Sequence, residues 1–206
     1  MPIGCYIFDL SAVLRGPSQR IRQVGKLMDV KFITKSRKHY IRDIADYPKP
    51  GIVFKDISPL LRDPAGLALA VEHMANPYRG LGVDVVCGAE SRGFIFGTAV
   101  AQALSAGFVP IRKPGKLPYK THSMAYELEY GTDTLEIHTD AIQPGQTVLM
   151  VDDLLATGGT MRACCDLVRK LGGEIAGVTV LIELTFLHGR DKLGEDGGDV
   201  HAVLTY

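Results

Sequence analysis

The chain has 206 residues, with 23 Lys and Arg balanced by 23 Asp and Glu, so its net charge is zero; 46% of residues are hydrophobic and 22% charged. That length and mix suit one globular domain with a sizeable core and exclude a disordered or fibrous chain. No apolar run reaches the ~18 residues a spanning helix needs, and the four cysteines (Cys5, Cys87, Cys164, Cys165) form no CxxC pair, which fits a reducing compartment better than a disulfide framework.

Residues 1–40 carry eight Lys and Arg (from Arg15 to Lys38) against Asp9 and Asp29, a local +6 that the rest of the chain offsets. Met1 to Leu14 is mildly apolar but holds Asp9 and lacks a basic start, so it reads as a poor signal peptide, and the cytoplasm is the expected location. Gly16-Pro17-Ser18 is a turn signal. Residues 1–38 are expected to be a basic, partly flexible extension, with the folded domain over 39–206.

From Tyr40 the pattern becomes regular. Ala65 to Tyr78 has helical apolar spacing, and Val83 to Cys87 is a short strand-like run. Gly93 to Ala106 reads as an alanine-rich helix and Phe108 to Arg112 as the next strand. Leu117 to Thr134 has no clear core pattern, and a segment of that kind in a compact α/β domain reads as a lid or hairpin arm. Thr134 to His138 alternates like a strand. Thr147 to Val151 reads as a buried strand and Met161 to Leu171 as a helix stopped by Gly172-Gly173; Ile175 to Leu184 and Val200 to Leu204 supply further strands. Strands alternating with helices imply an α/β fold, a central parallel sheet flanked by helices.

The richest stretch runs from Val148 to Thr160. A buried strand ends in Asp152-Asp153, and a short turn leads through Ala156-Thr157-Gly158-Gly159-Thr160 into a helix. The glycines permit close backbone approach and positive φ. Successive amides at a helix N-terminus suit a phosphate monoester, and the two carboxylates can accept hydrogen bonds from vicinal sugar hydroxyls. There is neither a Walker loop nor a GxGxxG fingerprint. This stretch resembles the motif with which type I phosphoribosyltransferases bind phosphoribosyl pyrophosphate (PRPP). Three others resemble the adenine-using branch of that family: Tyr47 to Leu60, Glu90-Ser91-Arg92-Gly93-Phe94, and Arg112 to Pro118 continuing to Leu128-Glu129-Tyr130-Gly131. The likeness spans about Ile41 to Thr185.

The resemblance implies a parallel-sheet domain with a small hood and a flexible catalytic arm. Its expected reaction joins adenine to the 5-phosphoribosyl group of PRPP, giving AMP and pyrophosphate in purine salvage. Ala156, Thr157, Gly158, Gly159 and Thr160 are expected at the 5′-phosphate, and Asp152 and Asp153 at the ribose. Glu90, Ser91 and Arg92, in a loop that often holds a cis peptide, join Arg112, Lys113 and Lys116 at the pyrophosphate. Val53, Phe54 and Lys55 are expected at adenine, through backbone groups and ring stacking. Read alone, the Ile52-Val53-Phe54 patch is core. Lys55 stands where the resembling family carries arginine, and Pro114 where a basic residue would also be accepted. Glu129 is the expected acid–base residue. Mg²⁺ is expected to arrive with PRPP and to need little direct coordination by protein. A homodimer is implied, with its contact near Arg92 and the helix that follows. A membrane or nucleic-acid partner is not expected.

Two rivals remain in the sequence: a phosphoribosyltransferase for another base, and a PRPP-sensing regulator that binds nucleic acid through its basic N-terminus. The hood and the Leu-Glu-Tyr-Gly arm argue against both. Met28 lies close to where the resemblance begins, so residues 1–27 read as an over-extended translation or a lineage-specific appendage.

Overall fold

The computed structural model describes residues 37–127 and 131–206. The chain divides into two compact units at Leu69/Ala70.

In the first unit a single turn of helix, α1 (Arg37–Tyr40), precedes a two-stranded antiparallel ribbon, β1 (Arg42–Ala45) and β2 (Val53–Asp56), paired from Arg42↔Asp56 to Ala45↔Val53. Asp46 and Gly51 take positive φ in the turn, and the Gly51 amide donates to Asp46 Oδ1 at 2.7 Å. Arg42 Nη2 and Asp56 Oδ2 lie 2.6 Å apart, and Lys55 Nζ and Asp43 Oδ1 2.7 Å. Opposite charges directly across a ladder stabilise it modestly. Helix α2 (Ser58–Arg62) follows, then α3 (Pro64–Ala75), which crosses the unit boundary. The core expected of the Ile52-Val53-Phe54 patch is not formed: Ile52 is 40% and Val53 50% exposed. A two-stranded ribbon has too little area to bury both of its faces.

The second unit is built on a five-stranded, all-parallel sheet in the order β4-β3-β7-β8-β9. Its strands are β3 (Val85–Ala89), β4 (Gly107–Ile111), β7 (Thr147–Leu155), β8 (Glu174–Glu183) and β9 (Val200–Thr205). Helix α4 (Gly93–Leu104) links β3 to β4, and α5 (Gly159–Lys170) links β7 to β8. One face of the sheet, with Cys87, Met150 and Val180, packs on Cys164, Leu167 and Val168 of α5. Intervening residues such as Val86, Leu149 and Val151 are also fully buried, as expected when successive strand residues alternate faces and both faces are covered.

The segment read as an arm forms a hairpin, β5 (Thr121–Glu127) and β6 (Thr132–His138), in register from Thr121↔His138 to Glu127↔Thr132. Reciprocal backbone bonds between Arg112 and Glu136, at 2.9 and 2.7 Å, tie it to the end of β4. Leu193 of the short helix α6 (Gly189–Leu193) joins the core. Most elements lie within two residues of their sequence-based limits. β7 is the exception. It continues four residues past Val151 and carries both aspartates, because β8 pairs with it as far as Leu155↔Glu183. The ladder overrides the poor strand propensity of two adjacent acids.

Candidate active site

Strand β7 delivers the carboxylates. Asp152 and Asp153 are successive, so their side chains diverge. Asp152 lies close enough to Cys164 of α5 for its charge to add to the burial that lifts that thiol far above its ordinary range. Asp153, 5% exposed, meets Arg92 Nε at 2.9 Å, just ahead of α4. The Asp153 amide donates to Asp152 Oδ1 at 2.8 Å. Burial raises both carboxyls; the neighbouring Asp153 charge lifts Asp152 further, whereas Arg92 pulls Asp153 back down. Two adjacent acids in a dry setting, one of them with a cation, hold charge most readily on the paired one.

Beyond Leu155 the chain turns through Ala156, Thr157 and Gly158 into α5. Gly158 takes φ 83°, the left-handed conformation that a glycine adopts without penalty, while Gly159 already begins the helix. No side chain caps this end. The first amides of a helix lack intrahelical partners and carry the positive end of its dipole, so the turn is chemically prepared for an anion. An open cleft of about 230 Å³ is lined by Glu90, Ser91 and Arg92, by Asp152 and Asp153, and by the turn from Ala156 to Thr160. Two stretches some sixty residues apart in the chain thus meet in one cavity, and the Glu90–Ser91 peptide there is cis.

Glu90 lines that cleft, and its carboxylate also holds the basic loop after β4. Its carboxylate accepts from Lys116 Nζ, from the Lys113 amide at 2.9 Å and from Arg112 Nε at 3.3 Å. Burial alone would raise it, but Lys116 and the other donors bring it below the usual carboxylate range. Glu90 therefore organises the basic loop after β4. Arg112 also donates to the Lys116 carbonyl at 3.2 Å and lies 5.9 Å from the centre of the Phe94 ring. Lys113 Nζ pairs with Asp133 of β6 at 3.0 Å, and that hydrogen bond raises the ammonium and lowers the acid. The Glu90-Ser91-Arg92 stretch also forms the Arg92–Asp153 ion pair, whose acid is buried.

Glu129 lies outside the described residues, as does nearly all of the basic stretch 1–38. Val53, Phe54 and Lys55 stand on β2 of the first unit, with Phe54 5.2 Å edge-on to Tyr47.

A phosphoribosyl transferase domain matches residues 59–200, a span that contains the whole cleft. The chain is 59% identical over 169 residues to an adenine phosphoribosyltransferase of Rhodopirellula baltica, covering 82% of this chain and 81% of that one. The chain belongs to the adenine phosphoribosyltransferase family. A crystal structure of the family's enzyme from Rhodothermus marinus superposes with TM-score 0.79 at 51% identity, over 84% of this chain and 97% of that one. The Saccharomyces cerevisiae enzyme, solved with an imino-altritol bisphosphate and adenine, gives TM-score 0.76 at 35% identity, over 89% and 99%.

Within the family fold, two contributors escaped the sequence reading. Tyr126 of β5 has its hydroxyl 3.4 Å from Thr160 Oγ1 and 3.5 Å from Asp133 Oδ2. It thus lies between the turn at the start of α5 and the partner of Lys113. Asp133 is the other. Both sit in the stretch without a core pattern, and only the alternation of Thr121 to Glu127 hints at a strand there.

Proposed function

We propose that the chain transfers the 5-phosphoribosyl group of PRPP to adenine, forming AMP and pyrophosphate for purine salvage, with the cleft between β7, α5 and the Glu90–Arg92 loop as its PRPP site. The observation that carries this reading is the uncapped turn from Ala156 to Thr160, with two aspartates beside it and a cation cluster behind Glu90. Amides of the turn, with the Thr157 and Thr160 hydroxyls, hold the 5′-phosphate. Asp152 and Asp153 accept from the ribose hydroxyls and favour positive charge developing on the ring carbon. The Ser91 backbone, Arg92, Arg112, Lys113 and Lys116 hold the diphosphate and stabilise it as it leaves.

In the reaction, adenine N9 forms a bond to the ribose C1 carbon and the bond from that carbon to the diphosphate oxygen breaks, its electron pair leaving with pyrophosphate. Glu129 accepts or relays the proton that adenine loses, while its arm excludes water that would hydrolyse the sugar. Val53, Phe54 and Lys55 recognise the base; backbone donors and acceptors discriminate an amine from an oxo group because a mismatch leaves a buried polar group unpaired. Mg²⁺ suits this site: two carboxylates flank a place for phosphate and hydroxyl oxygens. When bound with PRPP it neutralises diphosphate charge.

The functional unit is a homodimer joined through α4, where Ile95 is 41% exposed beside Thr98 and Gln102. Its location is cytoplasmic; among the described residues no helix is long and apolar enough to cross a membrane. Residues 1–38 are a basic extension to the catalytic domain over 39–206.

The test is AMP formation from adenine, PRPP and Mg²⁺, run beside calorimetric titration with PRPP. Glu129→Gln should lower kcat and leave PRPP binding in place. Hypoxanthine turning over faster than adenine, or no PRPP binding, would overturn the assignment.

A further inference from the structure

The anion-binding turn does not stand alone. Its reverse side rests on the start of α6, more than thirty residues later in the chain. A methyl group placed on Gly189 would collide with the Ala156 carbonyl oxygen and lie 3.2 Å from its carbon; one placed on Gly158 would collide with the Gly189 carbonyl oxygen and lie 3.1 Å from its carbon. The two backbones therefore interlock, each presenting a bare Cα to the other's carbonyl. Contact this close excludes any side chain at either position and allows weak Cα–H···O attraction.

The residues on either side of Gly189 are themselves anchored. The adjoining Arg190 grips the buried Glu183 at the end of β8 with two bonds of 2.7 Å, Nε to Oε1 and Nη2 to Oε2, and its Nη1 reaches the Val200 carbonyl at 2.9 Å. Burial opposes the charge on Arg190, but the Glu183 bond outweighs it and raises the guanidinium further. On the other side the Leu184 amide donates to the Leu155 carbonyl at 2.9 Å, joining the end of β8 to the residue before the turn. A forked bidentate pair fixes orientation as well as distance.

We propose that Gly189 and the Arg190–Glu183 clamp are positioning residues for the 5′-phosphate: they fix the turn from Ala156 to Thr160 from behind, so that its amides converge on a phosphate monoester. This rests on the reading of that turn as the 5′-phosphate site. Neither residue touches substrate; both act through the carbonyl of Ala156 and the left-handed Gly158. Displacing a binding group by ~1 Å costs on the order of 10²-fold in function, and a methyl on Gly189 forces a displacement of that kind.

The experiment titrates ribose 5-phosphate and, separately, pyrophosphate into wild type, Gly189→Ala and Arg190→Lys by calorimetry. A core truncation remote from the turn, Val100→Ala, serves as a stability control. Gly189→Ala should bind ribose 5-phosphate about tenfold more weakly or worse with pyrophosphate affinity nearly unchanged, while Val100→Ala changes neither. If Gly189→Ala does not fold, Arg190→Lys decides: amide exchange at Thr157 to Thr160 should quicken relative to α4. Unaltered ribose 5-phosphate affinity in a folded Gly189→Ala protein, or unaltered exchange in Arg190→Lys, overturns the inference. Wild-type protein that binds no ribose 5-phosphate overturns the reading of the turn itself.

Discussion

Replacing Arg92 by methionine keeps a flexible apolar stem but removes the cation from Asp153. The carboxylate left behind is only 7% exposed at its side chain, whereas the departing guanidinium is 38% exposed. Breaking a fully buried pair costs about 3–5 kcal/mol. Solvent already reaches the arginine and will partly hydrate the stranded acid, so the expected loss is about 1–3 kcal/mol, a fall in Tm of roughly 2–12 °C for a chain of this size. The sign with pH follows from the acid. Burial holds Asp153 above its ordinary range and Arg92 lowers it, so the attraction is fully present above the folded pKa and is lost as pH falls through it. Thermal melts should therefore show the two proteins furthest apart near neutrality and converging on acidification, with Arg92→Met/Asp153→Asn more stable than Arg92→Met alone. Equal melting at pH 7, or a gap that does not close in acid, would refute the claim that this pair is an electrostatic unit.

Asp152→Asn should preserve the bond from the Asp153 amide while removing a charge that burial and Asp153 disfavour. Differential scanning calorimetry should show a gain of about 1–2 kcal/mol, with AMP synthesis sharply reduced, as in other sites where function is held against stability. Gly93→Ala would bring a methyl to 2.9 Å from Asp152 Oδ1 and 3.1 Å from the Val151 carbonyl oxygen, so denaturant titration should find about 1–3 kcal/mol of overpacking cost. In the first unit, Asp56 is held at about 2 by Ser58 and then Arg42, against an ordinary 3.8. Its contribution is fully present above the unfolded value and is lost as pH falls from about 4 through 2, which amide exchange at Ser58 would register.

The site was legible where its chemistry is local. A buried strand, two acids, two glycines and a helix follow one another within Val148 to Leu171, and their spacing alone locates the glycine turn that lines the cleft. Where function depends on residues distant in sequence, local pattern was silent. Nothing near Glu90 tells that its carboxylate collects Lys116 and Arg112, and nothing near Asp133 announces Lys113. β7 shows the same division: its residues predict a strand ending at Val151, and only pairing with β8 carries it on to Leu155.

Hydrophobic period and glycine placement act over a few residues, so the order of strands, the helices between them and the turn were determined by sequence alone. The pairs Arg92–Asp153, Tyr126–Thr160 and Gly189–Ala156 were decided by tertiary structure. The first and third exist because a parallel sheet brings the C-terminal ends of β3, β7 and β8 to one end, and the second because β5 of the hairpin packs beside α5, so side chains and backbones from separate stretches must satisfy one another's charge and shape.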